Sequence, residues 1–249
     1  MKSSWKLIDV EEVIRLFPEQ VILCGGQAVA YWAWRFRLQE VVSKDIDVVA
    51  ERGFIHRLHK LNGGSVYFPD EREMTNFRGR VSFAYRDQIL DIEALHAVPG
   101  LEDNAEDISL RVELPSGGSI LVLHPVALCQ SKLYNVRHFN QANRNDLAHL
   151  RTAMKAAALW LGELAEADDV EAVFFINRWF RTVRARANLR VLVEHGIDWT
   201  DLVPLPQLQA AAEKHPRIAS FLQIQWPRMK DEILRRTADL SSEPEIPES

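Results

Sequence analysis

Cysteine is nearly missing from this chain, with Cys24 and Cys129 the only two in 249 residues. Two thiols cannot build a disulfide framework, and neither stands at a metal-ligand spacing. Both sit among apolar neighbours, as small buried residues do. No apolar run approaches the ~20 residues needed to cross a bilayer. The first residues, Met1-Lys2-Ser3-Ser4-Trp5, lack the apolar core of a signal peptide. A cytoplasmic protein without membrane contact is expected. Nor is there an excess of basic charge. The net charge of −5 and pI of about 5.9 do not mark the whole molecule as a nucleic-acid binder. No internal repeat is present.

What remains is an ordinary globular composition, 47% hydrophobic and 26% charged, in a chain long enough for one large or two modest domains. Charge divides unevenly: Lys and Arg number 14 against 19 Asp and Glu over residues 1–124, and 16 against 16 over 125–249. The first half supplies carboxylates and the second supplies arginine clusters. One stretch organises the rest. Val21-Ile22-Leu23-Cys24 reads as a short buried strand, Gly25-Gly26 as a turn, and Gln27 to Phe36 as a helix rich in alanine and aromatics. Asp45-Ile46-Asp47-Val48-Val49 then alternates acid and apolar. Side chains alternate faces along a strand, so Asp45 and Asp47 share one side and Ile46 and Val48 the other. Two neighbouring carboxylates on a rigid strand repel each other unless solvated or bridged by a divalent cation. A Gly-Gly turn entering a helix presents bare amides to a phosphate. Metal-binding acids beside a phosphate cradle describe phosphoryl or nucleotidyl transfer.

Gly25-Gly26, then Ser43-x-Asp45-x-Asp47, then an acid on the later strand Ile89-Leu90-Asp91-Ile92-Glu93, resembles the DNA polymerase beta-type nucleotidyltransferase superfamily. The nearer likeness is to its prokaryotic minimal and abortive-infection toxin-like branches. The resemblance covers roughly the first two-thirds of the chain. It implies an α+β fold, a nucleotidyltransferase-type mixed β-sheet with flanking helices followed by an all-α domain. It further implies two Mg²⁺ ions and an NTP substrate. Asp45 and Asp47 would bind both metals. Asp91 would be the third acid, with Glu93 the alternative, and Gly25, Gly26 and Ser43 would hold phosphates. Many relatives carry an arginine shortly before the acidic pair; Val41 and Val42 occupy that region here, and Arg35 and Arg37 are the candidates to replace it. Farther on, Leu123-His124-Pro125, Ser131-Lys132-Leu133 and Arg144-Asn145-Asp146-Leu147 are similar to the segment after the catalytic sheet in these relatives. Lys132 would contact the triphosphate and Asp146 would orient it or the second substrate; a solvated helix lysine is the plainer reading of Lys132. The relatives often have Lys-Asp there, where this chain has Asn145-Asp146 with His149 nearby.

Around this core, Asp9 to Phe17 reads as a helix capped by Asp9 and ended by Pro18. Tyr31, Trp32, Trp34 and Phe36 suit a helix packed on a sheet rather than a base-stacking surface. Ile55 to Leu61 has helical periodicity; His56 and His59 on it are expected to be exposed polar residues rather than metal ligands. Arg80 to Tyr85 and Ile89 to Leu95 alternate around Arg86-Asp87-Gln88, a hairpin. Pro99 to Asp107 reads as a polar loop. Ile108 to Leu114 and Ile120 to Leu123 form a second hairpin through Pro115-Ser116-Gly117-Gly118-Ser119. His124-Pro125 marks a switch from strands to helices: Pro125 to Val136, Asn140 to Leu159, and three or four more between Asp168 and Leu240. The domains expected are 1–124, catalytic; 125–240, helical; and 241–249, a disordered Ser/Glu/Pro-rich tail. Arg178, Arg181, Arg184, Arg186 and Arg190, with Trp179 and Phe180 interleaved, suit either an RNA-facing surface or a solvated helix paired with the acids at 163–171.

The expected function is Mg²⁺-dependent transfer of NMP from an NTP to a hydroxyl of a tRNA, a protein or a small molecule. The resemblance adds a possible place in a toxin–antitoxin pair, with an antitoxin as partner, or in phage defence. Two alternatives use the same residues: a catalytically inactive nucleotidyltransferase-like binding module, and a metal-dependent hydrolase.

Overall fold

The acid-alternating stretch becomes the middle strand of the largest sheet. In a computed structural model, which describes residues 4–17, 21–70, 72, 75–167 and 169–241, the elements leading up to it are β1 (Trp5–Lys6), α1 (Leu7–Ile14), β2 (Ile22–Leu23), α2 (Gly25–Arg35), β3 (Val42–Ser43) and β4 (Asp45–Val49). After it come α3 (Arg52–Asn62), β5 (Ser65–Tyr67), β6 (Phe77–Tyr85), β7 (Gln88–Leu95), β8 (Ser109–Glu113), β9 (Ser119–Leu123), α4 (Pro125–His138) and α5 (Asp146–Ala167). Seven strands form one mixed sheet in the order β5-β6-β7-β4-β2-β9-β8, and β1 pairs with β3 separately. β4 runs parallel to β7 and antiparallel to β2, while β2 runs parallel to β9.

Alternation explains the faces. Ile46 and Val48 on β4, with Leu90, Ile92 and Ala94 on β7, are fully buried, and the intervening acids occupy the other side. α3 packs against β6 and β7 and buries Phe54, Ile55 and Leu58. The hairpin joining β6 to β7 turns on Arg86 and Asp87, both at positive φ (48° and 60°), the backbone that a two-residue turn between twisted strands demands.

Several local expectations shift. α1 begins at Leu7, not Asp9, because Trp5 and Lys6 are drawn into pairing with Ser43 and Val42 and deliver the chain to the helix early. Asp9 therefore sits inside the first turn and accepts the Lys6 amide at 3.3 Å. Pro18 lies outside the described residues, as does the tail from residue 242 onward. The helix expected from Asn140 starts at Asp146 and runs to Ala167; a loop precedes it.

The chain divides into units 1–153 and 154–249. The division therefore falls within α5 rather than at His124-Pro125. α4 stays with the sheet because it packs on α2; Val126, Leu128, Cys129 and Leu133 on it are buried. The second unit contains α6 (Asp169–Val183), α7 (Arg186–Glu194), α8 (Leu205–Ala212), α9 (Pro216–Ser220) and α10 (Trp226–Ser241), one helix more than the upper expectation. Trp179 is fully buried and donates its indole N–H to the Trp199 carbonyl at 2.9 Å; Phe180 is buried beside it. The aromatics interleaved with the arginine run are thus core residues of this unit, not a stacking surface. No described helix is long and apolar enough to cross a membrane.

Candidate functional site

The site starts from strand register. β4 and β7 are parallel and paired so that Asp45 stands beside Asp91 and Asp47 beside Glu93. All four carboxylates leave the sheet on the same side, in two levels. They do not all converge. Oxygens of Asp45, Asp47 and Glu93 lie within 4.8 Å of one another. Asp91 accepts a hydrogen bond from Ser82 Oγ of β6 at 2.6 Å and does not line the cavity that the other three share. Glu93, not Asp91, is therefore the third converging acid. It stands one level nearer the carboxyl ends of the two parallel strands than Asp91 and has one methylene more of reach. Arg80, its neighbour on β6, approaches Glu93 at 3.7 Å.

The Gly25-Gly26 turn lies directly against these acids. The Cys24 amide donates to the Asp47 carbonyl at 2.9 Å, which ties the turn to β4. Gly25 has φ +61°, and a methyl group there would overlap the Asp47 carboxylate. A methyl on Gly26 would overlap the Ser43 side chain and come within 3.1 Å of His149 Cε1. No side chain caps the first turn of α2, and Ser43 Oγ donates to Asp45 Oδ1 at 3.3 Å. Gly25→Ala protein is expected to lose about 1–3 kcal/mol of stability from the left-handed backbone and the overlap. It should also bind Mn²⁺ more weakly, since the Asp47 carboxylate has to move. Thermal melts and a Mn²⁺ titration check both; unchanged Mn²⁺ affinity would mean that the turn does not set the acid geometry.

The facing wall comes from α4 and the start of α5. Lys132 is only 5% exposed, which rules out a solvated helix lysine. Its Nζ donates to Asp146 Oδ1 at 2.9 Å, Asn135 Nδ2 donates to the same oxygen at 3.2 Å, and Arg144 Nε donates to Asp146 Oδ2 at 2.5 Å. Burial alone would raise the Asp146 carboxyl, but Lys132 and Arg144 outweigh it and hold it down at about 2. His149 is buried, and its Nε2 lies 3.1 Å from the Val42 carbonyl. Desolvation and the Lys132 charge push its pKa down to about 4, so the ring is neutral near pH 7. Asp47 moves the other way: burial and the Asp45 and Glu93 charges raise its carboxyl well above the usual range.

Together these residues line a cavity of about 540 Å³. Its three converging carboxylates form an all-oxygen donor set that fits a hard divalent cation. The Cys24 thiol also lines the cavity, but burial and the Asp47 charge raise its pKa, so it stays protonated and offers no soft ligand. Among the described residues, Asp45, Asp47 and Glu93 are the one cluster able to hold a metal, and His56 and His59 are not part of it. Arg35 and Arg37 do not supply the expected arginine. They line a separate groove with Trp34, Leu38 and Val41. The guanidinium in the cavity belongs to Arg144, a role that only the Arg144-Asn145-Asp146 run hinted at. Phe139 and Asn143 also line it, and no sequence signal pointed to either. No protein-family model matches the chain, and no curated protein matches it.

Proposed function

We propose that the chain is a nucleotidyltransferase that moves NMP from an NTP to a hydroxyl acceptor. The observation that carries this reading is one cavity holding Asp45, Asp47 and Glu93 on one side, the Gly25-Gly26 turn and Ser43 beside them, and the Lys132–Asp146–Arg144 cluster on α4 and α5. Magnesium, when bound, supplies positive charge to the phosphate oxygens and acidifies the attacking hydroxyl. Asp45, Asp47 and Glu93 are the residues that would hold it. In the transfer, the acceptor oxygen forms a bond to the α-phosphorus as the bond to the bridging β-oxygen breaks. Pyrophosphate leaves, and the hydroxyl proton passes to a carboxylate or to water. Charge builds on phosphate oxygens, so the residues act mainly by placement and neutralisation. The Gly25 and Gly26 amides and Ser43 Oγ face the phosphates. Lys132, held by Asp146, adds a cation deep in the cavity.

The test is incubation of purified protein with each α-labelled NTP, Mg²⁺ and cell extract. Label should pass to an acceptor only with Mg²⁺ present. Glu93→Gln should lower transfer by at least about a hundredfold, while Asp91→Asn should keep it within about threefold. Equal losses in the two variants would mean the wrong acid has been assigned. Label released as free nucleotide would favour the hydrolase alternative. NTP-dependent thermal protection with no turnover would favour the inactive binding module, and the absence of both sinks the nucleotide reading.

A further inference from the structure

The cavity rim carries a feature that the phosphate and metal chemistry leaves unused. Phe139 directly follows α4, lines the cavity, and is 43% exposed. A single exposed ring is ordinary; its surroundings are not. The Arg144 guanidinium carbon sits 4.8 Å from the centre of that ring, while Arg144 Nε is held by the buried Asp146 carboxylate. One planar cation is thereby fixed between a carboxylate and a phenyl face. The loop that presents the pair is closed at several points. Lys44 Nζ donates to the Asn143 carbonyl at 2.7 Å. Gln141 Nε2 donates to the Asn135 carbonyl at 3.1 Å and to the Phe139 carbonyl at 2.8 Å. Leu95, Val98 and Pro99 add apolar surface to the same cavity. It therefore has a region of carboxylates and glycine amides, and another of flat, apolar and guanidinium surface assembled in advance. Aromatic rings and arginine planes are the surfaces on which unpaired bases stack, and stacking accepts any base because each has a π-face.

We infer that the Arg144–Phe139 pair is the seat for the nucleobase of the bound NTP, an assignment that rests on the nucleotidyltransferase reading above. Prior fixing of the loop lowers the ordering cost when the base lands on it. Because the seat is a stacking surface, it contributes to affinity for all four NTPs alike, and the triphosphate does not need it.

The test compares NTP with inorganic tripolyphosphate, each titrated calorimetrically with Mg²⁺ into the full chain. Phe139→Ala should weaken binding of every NTP by about tenfold or more, with tripolyphosphate affinity unchanged. Arg144→Lys keeps the charge beside Asp146 but removes the plane, and it should give the same selective loss. NTP affinity equal to wild type in both variants overturns the seat. So does a loss shared in proportion by tripolyphosphate, since the two residues would then only hold the loop. Failure of wild-type protein to bind tripolyphosphate with Mg²⁺ removes the nucleotidyltransferase reading itself, and the seat with it.

Discussion

Asp47→Asn protein should melt several degrees higher than wild type in EDTA, and should transfer no measurable nucleotide. In the metal-free wild type, three carboxylates crowd within 4.8 Å, and burial with the charges of Asp45 and Glu93 already raises the Asp47 carboxyl well above its usual range. Charges at that separation repel by roughly 1–4 kcal/mol at an effective dielectric between that of water and a dry interior. An asparagine has the same shape without the charge, so most of that repulsion disappears. Activity should go the other way, by about a thousandfold or more, because one metal-holding oxygen is lost. Magnesium should then reverse the ranking, since it stabilises the wild type by mass action and has little to bind in the variant. A melt series in EDTA and in Mg²⁺ checks both limbs. A variant less stable than wild type without metal would mean that the three acids are not in conflict. A stability gain that removes activity is the usual relation between a functional cluster and the fold that carries it.

Asp146→Ala should cost about 3–5 kcal/mol, the penalty for removing the carboxylate that pairs with the buried Lys132. Replacing both partners, Lys132→Met with Asp146→Leu, should restore most of the loss while leaving the protein inactive. Denaturant midpoints of the three proteins decide this; a double variant no better than Asp146→Ala would mean that the pair is not the cause. The same carboxylate predicts an acid limb. Its folded pKa of about 2 is below the unfolded value of 3.8. The folded state therefore binds fewer protons between those values, and stability falls with falling pH. The contribution is complete above pH 3.8 and is lost as pH drops through about 2. It amounts to about 2 kcal/mol in the wild type and should be missing from Asp146→Ala.

Much of the local structure was legible because it depends on neighbours in the chain. The period-2 pattern of Asp45 to Val49 and of Ile89 to Leu95 correctly separates acids from buried aliphatics. Gly25 and Gly26 do stand at a turn into a helix. What depended on distant partners was hidden. Alternation places Asp91 and Glu93 on one face but says nothing about which one lies level with Asp47; that is decided by the register between β4 and β7 and by the Ser82 hydroxyl. Lys132 looks like any helix lysine until Asp146, fourteen residues on, is brought against it. Arg144 was visible only as the first residue of the Arg144-Asn145-Asp146 run, for a related reason. The expected arginine precedes the acidic pair in sequence, whereas this one reaches the cavity from a loop after α4.

The position of α4 and the start of α5 bears on how the protein can be dissected. Lys132, Asp146 and Arg144 all come after the last strand, which ends at Leu123. A fragment cut where strands give way to helices would keep all three converging acids and yet open the cavity along one whole wall, with α4 no longer there to cover α2. The smallest piece that keeps the cavity whole therefore extends to about residue 153.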